Sequence, residues 1–132
     1  MFKIGNIFSL PPDDIASHPK FAIVVGGNSD CVALVYINTD ISQSDITEEI
    51  QSLSHPITQD EFGWLKYTSF VDCSDLIKKN KRELNKLLQK DPQRIYRELP
   101  AECIQKIMNI ITRSKSITSY EREEYGIKPI GN

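Results

Sequence analysis

The strongest hydrophobic signals are two short runs separated by a polar turn. Phe21–Val25 is continuously apolar and ends at Gly26-Gly27-Asn28, the pattern of a buried strand entering a turn. Cys31–Ile37 is apolar again, and the short glycine-bearing connection predicts that the two pair antiparallel. Upstream, Lys3–Phe8 alternates imperfectly and predicts a strand, stopped by Ser9-Leu10-Pro11-Pro12-Asp13-Asp14. Lys66–Cys73 is β-branched and aromatic and predicts another strand. Asp45–Leu53 reads as a short helix or a loop, and Ile57–Trp64 fits neither period.

The second half changes period. Leu84, Leu87 and Leu88 fall at i, i+3 and i+4 within Lys79–Lys90, predicting an amphipathic helix ended by Asp91-Pro92. Arg94–Leu99 alternates and predicts a short last strand. Pro100 suits a helix start, and Ala101–Thr112 then sets Cys103, Ile104, Ile107, Met108 and Ile111 on one face. The polar remainder predicts at most a short helix at Thr118–Tyr125. The fold class expected is mainly β (β+α), a small curled sheet or barrel with an inserted helix and a C-terminal helix. The expected organisation is one barrel domain at 1–114 and a polar extension at 115–132.

With 132 residues, 39% hydrophobic and 26% charged, the chain suits one globular domain with a core of its own. No apolar run approaches the roughly 20 residues of a membrane helix. The opening Met-Phe-Lys-Ile-Gly-Asn lacks the layout of a secretory signal, so a cytoplasmic protein with no membrane partner is expected. Cys31, Cys73 and Cys103 are widely spaced, which argues against a disulfide framework or a cysteine zinc site. His18 and His55 add too little for a histidine metal site, so no metal and no cofactor is expected.

Charge is segregated. Residues 1–76 carry three bases against eleven acids, a balance of −8, whereas residues 77–132 carry thirteen bases against seven acids, a balance of +6. The densest basic stretch runs from Lys78 through Lys81, Arg82, Lys86, Lys90 and Arg94 to Arg97. It reads either as a solvated helix face or as a surface for phosphate or an acidic partner.

Several segments together carry a family likeness. Gly5-Asn6-Ile7, Lys20–Val25, Val35–Thr39, Ser69–Cys73 and Glu98–Glu102 resemble, in order, segments of the MazF/PemK toxin family. The likeness covers roughly residues 3–112. It implies an SH3-like barrel and a metal-independent endoribonuclease toxin that cleaves single-stranded RNA. It further implies a homodimer and a cognate antitoxin protein. Lys20 stands where that family carries its catalytic arginine, and a lysine offers a point charge without the planar fork of arginine.

Metal-free cleavage of RNA requires removal of the 2′-hydroxyl proton, stabilisation of a charged pentavalent phosphate, and protonation of the departing 5′-oxygen. If Phe21–Val25 and Cys31–Ile37 pair, Lys20 and Thr39 flank the hairpin on one side, a cation and a hydroxyl able to hold one phosphate. Asn38 takes the place of Thr39 if the register shifts by one residue. His18 and His55 each precede a proline, and because imidazole serves as acid or base near neutral pH either is a candidate for that role, or a plain surface histidine. Ser69 at a strand start contacts substrate or is structural. Trp64 and Lys66, with Tyr67, form a stacking platform with a neighbouring charge, or pack at the rim. The competing expectation is a catalytically inactive SH3-like binding module that uses a basic helix at 78–97 for a protein or nucleic-acid partner.

Overall fold

In the computed structural model the described residues are 2–12, 20–39, 54–57, 69–96 and 98–130. The chain runs β1 (Ile7–Leu10), β2 (Lys20–Gly27), β3 (Cys31–Thr39), β4 (Ser54–Ile57), β5 (Ser69–Asp72), β6 (Ile77–Asn80), α1 (Lys81–Lys90), a single 3-10 turn (Pro92–Arg94), β7 (Ile95–Tyr96), α2 (Ala101–Arg113) and α3 (Ser119–Glu124). The strands form one antiparallel sheet in the order β4-β5-β3-β2-β1-β7, with β6 pairing separately along β3. The architecture is therefore mainly β with an inserted and a C-terminal helix, as the hydrophobic pattern predicts. The strand path stays open rather than closing into a barrel: β4 and β7 end it and are not paired with each other.

Strand alternation explains why the sheet remains open. Each strand sends one set of apolar residues to each face, and both faces are covered. On one face Ile7, Ile23, Val35, Ile37 and Val71 pack with Cys103, Ile107, Met108 and Ile111 of α2. On the other, Phe8, Leu10, Val24, Leu34 and Tyr36 pack with Leu84 and Leu88 of α1. A two-faced sheet between helices needs no closure to bury its apolar surface.

Two strands escape the hydrophobic pattern. β6 has the sequence Ile-Lys-Lys-Asn and is held by its ladder with Cys31–Leu34 of β3. The helix predicted from Lys79 thus starts at Lys81, where the Asn80 side chain accepts from the Glu83 backbone N–H at 3.1 Å. β4 contains His55-Pro56 and, among the described residues, pairs with β5 alone, an edge position of the kind in which proline is found. The strand expected over Lys66–Cys73 is described at Ser69–Asp72. Asp45–Leu53 and residues 58–64 lie outside the described residues.

The turn between β2 and β3 is built by Asn28, whose side-chain oxygen accepts from the N–H groups of Asp30 and Cys31 at 2.9 and 2.8 Å. Gly5 has φ +100°, and a Cβ there would collide with the Ile104 side chain. Its N–H and C=O tie β2 and the approach to α2 together, bonding Val24 O at 2.8 Å and Leu99 N at 3.0 Å.

Residues 114–130 return to the sheet. Ile117 and Ile127 are buried in the α2-side core, and the Tyr125 carbonyl accepts from Gly27 N–H at 2.9 Å. Arg122 holds the bend, donating to the Ile117 carbonyl at 2.6 Å.

Candidate functional site

Lys20, Asn38, Thr39 and Ser69 lie at strand ends on one rim of the sheet, and a β-bulge sets the register between the first two strands. Next to the turn, β2 and β3 pair as Gly27↔Val32 and Gly26↔Ala33; beyond it they pair as Val24↔Leu34 and Phe21↔Ile37, with the register shift between Val24 and Gly26. Continued to the strand ends, the first register would set Lys20 against Thr39. The second sets it against Asn38. One extra residue on β2 thus decides the ambiguity left by the sequence, because a one-residue slip exchanges the faces of a strand.

Neighbouring strands extend this rim. Lys20 pairs with Leu10 at the end of β1. Asn38 and Thr39 pair with Phe70 and Ser69 at the start of β5, and Ser69 pairs with Ile57 at the end of β4. Five strand ends at a spacing of ~4.8 Å make an edge roughly 19 Å long, room for a few nucleotides. The structure therefore brings the backbones of Lys20, Asn38, Thr39 and Ser69 together, and places His55 opposite Val71, two residues in from the rim. His18, Trp64 and Lys66 lie outside the described residues.

The Lys20 ammonium lies 5.2 Å from the centre of the Tyr36 ring, a cation–π contact. Tyr36 is buried in the α1-side cluster, so the contact anchors the charge on the helix α1 side of the rim. Tyr36 was not a candidate from sequence. It lies two residues before Asn38, the diagonal position that long side chains reach across a strand pair. Alternation alone could have found it, but only once the bulge was known.

The basic stretch divides into anchored and unanchored charges. Lys78 bonds Glu121 of α3 at 2.9 Å. Arg94 lies 3.1 Å from Asp91 and donates to the Ser9 carbonyl at 3.1 Å, tying the end of α1 to β1. Arg82, Lys86 and Lys90 are exposed along α1. Beside α1 runs a cleft of about 170 Å³ lined by Leu10, Pro11, Pro12, Lys79, Glu83 and Leu87 among others.

Among the described residues no group of three or more His, Cys, Asp or Glu side chains could hold a metal ion, and no helix is long and apolar enough to cross a membrane. No family model matches the chain, and no curated protein matches it.

Proposed function

We propose that this chain is an endoribonuclease that cuts single-stranded RNA at the β2–β3–β5 rim, a toxin in the manner of the MazF/PemK family. The same reading makes it a homodimer silenced by a cognate antitoxin protein. The observation that supports it is the β2–β3 register, whose Phe21↔Ile37 pair leaves Lys20 and Asn38 next in line at the strand ends, with Thr39 paired to Ser69 on β5. A lysine and short polar residues then occupy neighbouring strand ends, a spacing that suits one phosphate.

In this mechanism a base, His55 or His18, takes the 2′-hydroxyl proton and the 2′-oxygen attacks phosphorus. Lys20 stabilises the charge that develops on the non-bridging oxygens, assisted by Asn38. The P–O5′ bond breaks and the 5′-oxygen takes up a proton. The products are a 2′,3′-cyclic phosphate and a 5′-hydroxyl.

The test is incubation of the purified protein with a labelled single-stranded RNA of mixed sequence, with end-group mapping of the products. Wild-type protein should produce cyclic-phosphate and 5′-hydroxyl ends, and inducible expression should arrest growth. Lys20→Ala should lower the rate by about 10²–10³, the cost of removing one donor from a developing oxyanion. Wild-type protein that leaves RNA and growth untouched overturns the proposal.

A second reading, a binding module without catalysis, is favoured by the charge segregation and by the exposed cations of α1. A dispensable Lys20 together with required α1 cations would select it.

A further inference from the structure

We propose that the exposed ridge Arg82, Lys86 and Lys90 of α1 is an accessory phosphate track that feeds single-stranded RNA to the Lys20 rim; this rests on the endoribonuclease reading above. Three observations support it. The ridge residues recur every four positions, so successive charges rise ~6 Å along the helix and drift little around it. That step is close to the distance between successive phosphates in an extended single strand.

Second, these cations are uncompensated. Among the described residues no ion pair joins Arg82, Lys86 or Lys90 to an acid, and Asp91 is engaged by Arg94. An exposed row of three cations outnumbers Glu83, the one acid within it, and so complements a polyanion.

Third, the ridge and the rim belong to the same side of the sheet. The inward residues Leu84 and Leu88 of α1 pack in one cluster with Leu10 and Tyr36. Leu10 is the ladder partner of Lys20, and Tyr36 carries the Lys20 ammonium. A strand lying along the outer face of α1 therefore reaches the rim without crossing to the α2 side.

The test measures equilibrium binding of a fluorescent 20-nucleotide RNA across a salt series. The proteins are wild type, the ridge variant Arg82→Gln/Lys86→Gln/Lys90→Gln, and a charge-matched variant Lys106→Gln/Lys115→Gln/Lys128→Gln. The RNA carries a non-cleavable 2′-O-methyl backbone, so that binding is read apart from cleavage. All six positions are exposed, and circular dichroism checks that each variant folds. The ridge variant should bind roughly tenfold or more weakly at low salt, with a log–log salt slope shallower by about two, three contacts at ~0.7 each. The charge-matched variant should keep the wild-type slope.

Equal slopes in the ridge variant and wild type overturn the track, as does an equal loss in both variants, which would mean diffuse attraction only. Failure of the parent reading looks different: an unmodified RNA of the same sequence left intact by the wild type, together with a ridge-dependent salt slope, would retain the track and remove the nuclease. Preference for an acidic protein with no RNA binding would also overturn it.

Discussion

The Lys20 ammonium sits 5.2 Å from the centre of the Tyr36 ring, so the only charge of β2 is held by an aromatic face belonging to the neighbouring strand. Tyr36→Leu should preserve much of the burial and remove the ring that positions the charge. The expected result is a fall in cleavage rate smaller than that of Lys20→Ala, with little change in RNA affinity. Tyr36→Phe, which retains the ring, should restore the rate. Equal rates for Tyr36→Leu and wild type would show that the contact positions nothing.

Gly26 lies at the bulge, and a Cβ added there would collide with the Tyr125 carbonyl oxygen. The neighbouring Gly27 N–H donates to that same oxygen. Gly26→Ala should therefore lift the C-terminal segment from the sheet and destabilise the fold by about 1–3 kcal/mol, as overpacking does. Urea unfolding gives the stability, and limited proteolysis near Tyr125 should accelerate. An unchanged midpoint with wild-type cleavage resistance would contradict the packing described.

The Lys78–Glu121 pair gives a pH signature. The Lys78 hydrogen bond, and then the Thr118 backbone N–H, hold the Glu121 carboxyl below its ordinary value. Glu121 in turn raises Lys78, chiefly through that same hydrogen bond. A lowered acid contributes stability that is present above its unfolded pKa and lost as pH falls through its folded pKa; a raised lysine contributes stability lost as pH rises through its own. Glu121→Gln leaves an amide oxygen able to keep the capping box with Thr118 and removes the charge and the oxygen that accepts from Lys78. The variant should be less stable by about 0.2–1 kcal/mol near neutral pH, the range of exposed pairs. Thermal melts across pH should show the two proteins converging in strong acid. A constant difference at all pH values would refute the assignment.

Thiol accessibility separates the cysteines. Burial pushes the Cys73 thiol far up, with smaller contributions from Asp72 and Cys103, and Cys103 is also buried while Cys31 is only half-buried. Because the thiolate is the reactive form, a native thiol titration should modify Cys31 first and leave Cys73 and Cys103 until the protein unfolds. Fast labelling of Cys73 in the folded protein would place it outside the core.

Legibility in the sequence followed burial. β2, the body of β3 and α2 could be read because each buries a periodic or continuous apolar set, and the helix over Lys81–Lys90 followed from Leu84, Leu87 and Leu88. β6 was hidden because Ile-Lys-Lys-Asn holds its place by ladder bonds to β3, a long-range cause that leaves no local period. The role of the residues after Ser114 was hidden too, since only Ile117 and Ile127 enter the core among many polar neighbours. At the candidate site, the neighbourhood of Lys20 with residues 38 and 39 was visible from the hairpin. The choice between those two was not, because it depends on a single bulge at Val24–Gly26.

Helix α1 answers to different demands on its two sides. Its leucines shield Phe8, Val24 and Leu34 from water, while Arg82, Lys86 and Lys90 on its outer side are exposed. Substitutions on the outer side can therefore accumulate at little thermodynamic cost, whereas truncating Leu84 or Leu88 would open a void against the sheet worth roughly 2–5 kcal/mol. A helix so divided can change what it grips without changing what it covers.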